Sequence, residues 1–303
     1  MTLKTLFYQL KPIMPRNVQI FLRRRLIASK LTSCNGYWPI DESAGIEPLI
    51  WHKWPLGKRF ALILTHDVEK DIGQERCIHL LNVEKKLGFV SSFNFVPERY
   101  MVSESLRKHL VRNGFEVGVH DLNHDGRLFS SRKIFQYRSQ LINHYLSEWQ
   151  SVGFRAAAMH HNLNWIGELN IEYDCSTFDT DPFEPQPDGV GTIFPFLVER
   201  KNKSSFVEMP YTLPQDFTLF ILMKNQTVDV WEKKVKWIAE KGGMALINVH
   251  PDYINFGNRP NGTEEYLIDY YKEILQYIKL NFADEYWNVL PKEMARFIKS
   301  VYM

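Results

Sequence analysis

Phe115-Glu116-Val117-Gly118-Val119-His120-Asp121-Leu122-Asn123-His124 is the stretch from which the rest of the chain can be read. Its first five residues follow the alternation of a half-buried strand, so His120 falls where such a strand ends. If the chain then curves into a helical arc, His124 returns beneath His120 on the same face. Two imidazoles aimed at one point suit zinc and similar divalent ions, and they leave positions open for a carboxylate and a reacting water. Histidines four apart also occur by chance in many helices, so the weight falls on what the other strands end in.

On the N-terminal side, Phe60-Ala61-Leu62-Ile63-Leu64-Thr65 is a continuous apolar run, short enough to be a buried parallel strand, and it ends in His66-Asp67-Val68-Glu69. An amphipathic stretch over 74–87 stops at Gly88, which suits a helix C-cap, and a strand over 89–96 follows. Ser103 reads as the N-cap of a helix that stops at Gly114. Beyond His124, a helix over 131–151 stops at Gly153 ahead of Phe154-Arg155-Ala156-Ala157-Ala158. The middle offers strands over 173–180, 205–209 and 218–223, with a proline-rich loop over 182–195 among them. A helix over 228–241, Gly242-Gly243 and a strand over 244–249 lead to His250-Pro251-Asp252-Tyr253, and helices near 264–281 and 291–302 close the chain. Strand, helix, glycine, strand, several times over, means parallel β/α architecture.

Three of these strands end in chemically capable groups: Asp67 and Glu69, then His120 and His124, then His250. A parallel barrel gathers the C-terminal ends of its strands on one face, so these groups converge. A divalent ion held by two histidines and a carboxylate acidifies water from a pKa of about 15.7 toward about 7 and polarises a carbonyl oxygen. A second carboxylate then takes the water's proton, and a protonated histidine donates one to the leaving nitrogen or oxygen. The chemistry implied is metal-assisted hydrolysis of an amide or ester.

From about Phe60 to Tyr253 the chain resembles the polysaccharide deacetylases of carbohydrate esterase family 4, the nodulation-protein type. Thr65-His66-Asp67-Val68-Glu69 is similar to that family's Thr-Phe-Asp-Asp motif, with Val68 in place of the adjacent acid and Glu69 one position later. On an extended backbone Asp67 and Glu69 point to the same side. The resemblance implies Asp67 as catalytic base and Glu69, His120 and His124 as metal ligands, with the reverse division of Asp67 and Glu69 open. It also implies Arg155 as the residue that orients the base, although Ala157 stands where the family has proline, and His250 as catalytic acid. Tyr173-Asp174 to Asp181 stands for a groove-lining acidic motif. His160 and Tyr211 are candidate substrate contacts, but adjacent His160 and His161 face different ways, and Tyr211 and Trp165 read as core or rim before they read as sugar platforms. Glu69 also reads as a helix cap or a partner of Lys70, Arg155 as a structural ion-pair partner, and Asp252 as a group holding the His250 imidazole protonated.

The fold implied is α/β, a distorted parallel (β/α) barrel of the polysaccharide deacetylase type over residues 59–303, preceded by a basic helix and irregular arm over 1–58. One divalent ion is expected, zinc first, with cobalt, nickel or manganese as alternatives. The expected activity is removal of an acetyl group from an N- or O-acetylated sugar, lipid-linked or nucleotide-linked, in cell-surface polysaccharide or lipopolysaccharide synthesis. The rivals are hydrolysis of another, cyclic amide on the same fold, and a carbohydrate-binding or scaffold protein without turnover.

Composition bounds this reading. Hydrophobic residues at 45% and charged residues at 24% belong to a soluble globular protein. Cys34, Cys77 and Cys175 form no spaced pair, which suits buried thiols in a reducing compartment, so cytoplasm is expected. Residues 1–40 carry seven basic side chains (Lys4, Lys11, Arg16, Arg23, Arg24, Arg25, Lys30) and no acid, whereas the rest holds 30 basic against 35 acidic, and no nucleic-acid partner is expected. Lys11, Pro12, Pro15 and Arg16 interrupt the head's apolar stretch, which argues against a signal peptide, and no run of 18 apolar residues exists to span a membrane. The segment from Val18 to Ile27 mixes Ile20, Phe21, Leu26 and Ile27 with three arginines. It reads either as a helix packed on the body with its arginines in water or as one lying on the inner face of an anionic membrane.

Overall fold

A strand buried along its whole length needs cover on both faces, and that need organises the molecule. The computed structural model describes residues 14–34, 37–200, 204–257 and 259–302; Lys4, Lys11 and Pro12 lie outside the described residues. A leading helix α1 (Arg16–Ser33) and an irregular segment with two 3-10 turns precede β1 (Phe60–Val68), all nine residues of which are buried. The chain then runs α2 (Asp71–Leu87), β2 (Ser92–Phe95), α3 (Glu104–Arg112), β3 (Glu116–His120), α4 (Arg132–Glu148), β4 (Gly153–Arg155), a single-turn α5 (Leu163–Ile166) and β5 (Tyr173–Asp174). It continues through β6 (Phe196–Val198), β7 (Phe206–Glu208), α6 (Asp229–Lys241) and β8 (Met244–Val249). A small ladder of β9 (Ile254–Asn255) and β10 (Tyr266–Leu267), α7 (Ile268–Asn281), β11 (Tyr286–Asn288) and α8 (Pro291–Tyr302) complete it.

The main sheet runs β8, β1, β2, β3, β4, β5, β7, β6, with β11 beside the first residues of β1, and every pair is parallel except β6 with β7. It curls into the distorted (β/α) barrel expected. Between β7 and β8 the curl is tied by Thr212, whose hydroxyl donates to the Met244 carbonyl and accepts from the Leu246 amide.

Side-chain parity divides the sheet into two surfaces. Ala61 and Ile63 of β1, Tyr173 of β5, Val207 of β7 and Met244 and Leu246 of β8 pack into one cluster inside the barrel. Phe60, Leu62, Leu64, Phe93, Phe95, Val117, Val119, Phe154 and Ile247 face the other way and pack under the helices. Burying one phenylalanine side chain of that outer layer contributes about 1.5–3 kcal/mol. The inner surface changes character along the strands: apolar at the start, it becomes Thr65 and Asp67, Asn94, His120, Arg155 and Asn248 at the end. Gly153 and Gly118 are the close approaches that this narrow interior demands. A Cβ at Gly153 would lie 2.0 Å from the Tyr173 ring, and one at Gly118 would lie 2.1 Å from Asn94 Oδ1.

Helix signals are where the sequence puts them. Gly88 takes the left-handed conformation at φ 87° after α2, and the Ser103 hydroxyl accepts from the Leu106 amide at the start of α3. Four expectations are corrected. The helix over 131–151 ends at Glu148, and Gly153 belongs to β4 rather than to a helix stop. The stretch over 218–223 is no strand: Phe217–Leu222 is a π-helix of buried residues, and an apolar run that short does not distinguish the two by period. The strand over 173–180 shrinks to β5, and β6 forms inside the residues left between loop and strand. The helix near 264–281 begins only at Ile268, after β10.

His66, on the outer surface of β1, meets Glu84 of α2 at 2.7 Å. The same carboxylate accepts from Ser91 Oγ at 2.7 Å and from the Tyr271 hydroxyl of α7, so a fully buried acid ties two helices to the sheet. Glu84→Ala leaves these donors without a partner and is expected to lower the unfolding free energy by roughly 3–5 kcal/mol. Urea denaturation checks this; a loss within experimental error of zero would remove the tie from the account of the fold.

Candidate metal centre

The donor set lies at the C-terminal mouth of the barrel. Ligand atoms of Glu69, His120 and His124 all lie within 4.8 Å of one another. His124 Nε2 is 3.0 Å from Glu69 Oε1, and the two imidazole centroids are 4.8 Å apart. The connection between the histidines is not the expected helical arc. Asp121 and His124 both have positive φ, at 55°, and the Asp121 amide donates to the Arg155 carbonyl while its carboxylate accepts from the Leu122 amide. A kinked turn, pinned to β4, therefore brings the second ring back. Ala158 and Met159, across the mouth, are also left-handed at φ 52° and 54°, so four non-glycine residues in a conformation that disfavours side chains gather at this end.

The donors suit a divalent ion. His120 Nδ1 is 3.0 Å from the Arg155 carbonyl, an acceptor only, so this nitrogen carries the proton and Nε2 presents its lone pair to the site. Burial and the neighbouring His124 push the His120 pKa down to about 4, against the pull of Asp67 and Glu69, so the ring is neutral at neutral pH. Burial opposes the charge on Glu69, but His124, hydrogen-bonded to it, together with His250 and His120 holds it well below the usual carboxylate range. Its amide donates to Asp252, and its second oxygen accepts from Tyr253 at 3.3 Å. Arg99 donates to His124 Nδ1 at 2.6 Å, so ligation through Nε2 requires the exposed Arg99 side chain to withdraw and that nitrogen to take up the proton.

Asp67 lies behind this set, on the inner surface of β1, with Oδ2 3.9 Å from His120 Nε2. Three other strands hold it: Asn94 of β2 donates to Oδ1 and Asn248 of β8 to Oδ2, both at 3.0 Å, and Arg155 of β4 reaches Oδ2 at 3.4 Å. Burial raises the cost of its charge, yet Arg155, His120, His250 and the Asn94 hydrogen bond together hold it far below the usual range. Asp67 and Glu69 thus point to the same side, but Glu69 alone of the two belongs to the donor cluster.

His250 follows β8 with Nε2 3.9 Å from Glu69. Its Nδ1 is 2.7 Å from Asp216, which also accepts from the His250 amide and the Tyr266 hydroxyl. Burial favours the neutral ring, but Asp216, then Glu69 and Asp67, raise its pKa to about 10. Asp216, not Asp252, holds this imidazole. It sits at the start of the π-helix, where no sequence signal marked it.

Other candidates fall elsewhere. Tyr211 is fully buried in the barrel interior beside Phe178, which makes it a core ring rather than a substrate contact. His160 is half-buried near Gly126 and does not line the groove. His161 bonds the Met159 carbonyl. Asp174 and Asp181 are buried, so the expected acidic motif is internal and does not line a groove.

A groove of about 310 Å³ opens over the donor set. His124, Glu69 and His250 form its floor, and Arg16, Gln19 and Arg23 of α1 contribute one wall, with Phe217 and Tyr253 beside them. The helix read as a separate basic object is therefore part of the site. Ile20 and Ile27 are buried on the body, Arg16 pairs with Glu264, and Arg24 donates to the Ile221 carbonyl.

No family model matches this chain, and no curated protein does. Solved structures do. A protein of Mycobacterium smegmatis assigned as a polysaccharide deacetylase aligns at 16% identity over 84% of this chain and 95% of its own, with a TM-score of 0.61. The Puue allantoinase aligns at 14% identity over 88% and 99%, with a TM-score of 0.64. A protein of Pseudomonas aeruginosa PAO1, also assigned as a polysaccharide deacetylase, aligns at 15% over 82% and 94%, with a TM-score of 0.62. At these identities the likeness is one of fold, and at that level the resemblance to the polysaccharide deacetylases holds.

Protein purified without chelator is expected to bind about one divalent ion per chain, and His120→Ala and His124→Ala each to lose it while remaining folded. Metal analysis beside circular dichroism checks this. Full occupancy in the double variant would rule the cluster out as a metal site.

Proposed function

We propose that the protein is a metal-dependent hydrolase that removes an acetyl group from an N- or O-acetylated sugar, in cell-surface polysaccharide or lipopolysaccharide synthesis. One observation carries the reading: a buried carboxylate and a buried imidazole flank the same cluster of two histidines and a glutamate, Asp67 3.9 Å from His120 and His250 3.9 Å from Glu69. The fold shared with proteins assigned as polysaccharide deacetylases supports it.

Glu69, His120 and His124 would hold the ion, zinc first, with cobalt, nickel or manganese as alternatives. Bound there, it supplies Lewis-acid polarisation of the acyl carbonyl and acidification of water. Asp67 is the base. Kept ionised and oriented by Asn94, Asn248 and Arg155, it takes the proton of the attacking water as the oxygen bonds to the acyl carbon. Arg155 touches no substrate in this scheme and acts as a positioning residue. His250, protonated against Asp216, gives its proton to the leaving nitrogen or oxygen as the carbon–nitrogen or carbon–oxygen bond breaks, and acetate departs.

The allantoinase that shares the fold favours hydrolysis of a cyclic amide by the same groups as the second reading. Contact of α1 with the inner face of an anionic membrane belongs to the first, supported by its exposed Phe21 and Leu26 and the Arg25 guanidinium over Phe21. Among the described residues no helix is long and apolar enough to cross a membrane.

Asp67→Asn is expected to keep the ion but lose most activity, because the amide accepts no proton. His250→Ala is expected to lower turnover by roughly 10²- to 10⁴-fold with metal content intact. Glu69→Gln is expected to weaken metal binding first, with added zinc restoring part of the rate. Acetate release from acetylated sugars, read beside metal content, separates these outcomes. If the wild type releases none with zinc, cobalt, nickel or manganese, the hydrolase reading gives way to a binding protein.

A further inference from the structure

Besides His250, the groove is lined by four basic side chains, which an acetylated neutral sugar does not require. Arg16 and Arg23 come from α1, Lys70 follows β1, and Arg99 follows β2. Three of them lie over aromatic rings, which hold a cation in place. The Arg23 guanidinium is 4.8 Å and that of Arg16 5.6 Å from the Phe217 centroid, and Lys70 Nζ is 5.8 Å from that of Tyr253. The opposing acids are few. Glu264 matches Arg16 through three hydrogen bonds, and Glu69 belongs to the donor set, where an ion would offset it. Glu184, also in the lining, is buried and accepts from Gln215, and burial pushes its carboxyl up toward the neutral form. Like charges gathered around one concave space repel unless an anion joins them.

We infer that the groove binds a phosphate group carried by the acetylated sugar, held by Arg23, Lys70 and Arg99 beside the Arg16–Glu264 pair. The choice of sugar rests on the hydrolase reading, whereas the anion site stands on the groove alone. Guanidinium forks match phosphate oxygens two at a time, and the ammonium of Lys70 adds a mobile point charge. Donation from Arg99 to a phosphate would also take it off His124 Nδ1, which frees that ring for the ion. One movement therefore serves both sites.

Calorimetric titration of the full chain with N-acetylglucosamine 1-phosphate and with N-acetylglucosamine tests this, as purified and again after chelation. The phosphorylated sugar is expected to bind at least about tenfold more tightly, before and after chelation, with the advantage shrinking as salt rises. Lys70→Gln, a change at an exposed position that leaves folding undisturbed, and Arg23→Gln should each remove most of that advantage. Lys108→Gln, away from the groove, should leave it. Co-sedimentation with phosphatidylcholine vesicles doped with phosphatidic acid separates the sources: retention that depends on Lys70 and Arg23 assigns a lipid phosphate, and binding in solution alone assigns a soluble one. Equal affinity for the two sugars, a preference that chelation abolishes, or one that survives both substitutions would overturn the proposal. Acetate release is scored separately, so binding without release retires the hydrolase reading and leaves the anion site, and release without preference does the reverse.

Discussion

The charge of Asp67, almost completely buried at the mouth of a curled sheet, is the constraint on which the rest depends. A carboxylate in that position persists only if donors reach it from several directions, and here they come from β2, β4 and β8. Removing one partner of a buried ion pair costs about 3–5 kcal/mol, because the remaining charge keeps its desolvation penalty. The three strands are thereby fixed in register with β1 at the level where the chemistry sits. Asp67 faces Asn94 in the β1–β2 ladder, and His120 faces Arg155 in the β3–β4 ladder. Rigidity of the pocket and polarity of its floor are thus one property seen from two sides.

Much of this was legible in the sequence because it follows from period. The alternation that ends at His120, the apolar run that ends at Asp67 and the run that ends at His250 are strands whose parity sends every second residue inward. Parity also explains why Asp67 and Glu69, two apart, share a side while His66 between strand partners turns outward to Glu84. Glycine and serine marked helix ends because a left-handed residue and a side-chain acceptor are local needs that the sequence meets locally.

What stayed hidden depends on contacts far apart in sequence. Asp216 is one acid among many until the fold sets it beneath His250. Asn94 carries no motif of its own, and its role exists only opposite Asp67. The stretch over 218–223 was misread as a strand because a short run of buried apolar and aromatic residues leaves no polar face from which to read a period. The barrel interior also needs room, and Gly118 supplies it. Seen along the chain, that glycine only weakens a strand; in three dimensions it vacates the space that Asn94 fills.

The wall that α1 gives the groove has a temporal side. Arg16 meets Glu264 across 248 positions of chain, and Arg24 meets Ile221 across 197. Translation makes α1 before Ile221 and Glu264, so the helix waits for these two partners while the strands between them are synthesised. Glu69, His120 and His124 are all synthesised before either of them. A nascent chain therefore carries the three candidate donor side chains before it can build the wall that α1 gives the groove, and the order of synthesis separates the chemistry of the site from its shape.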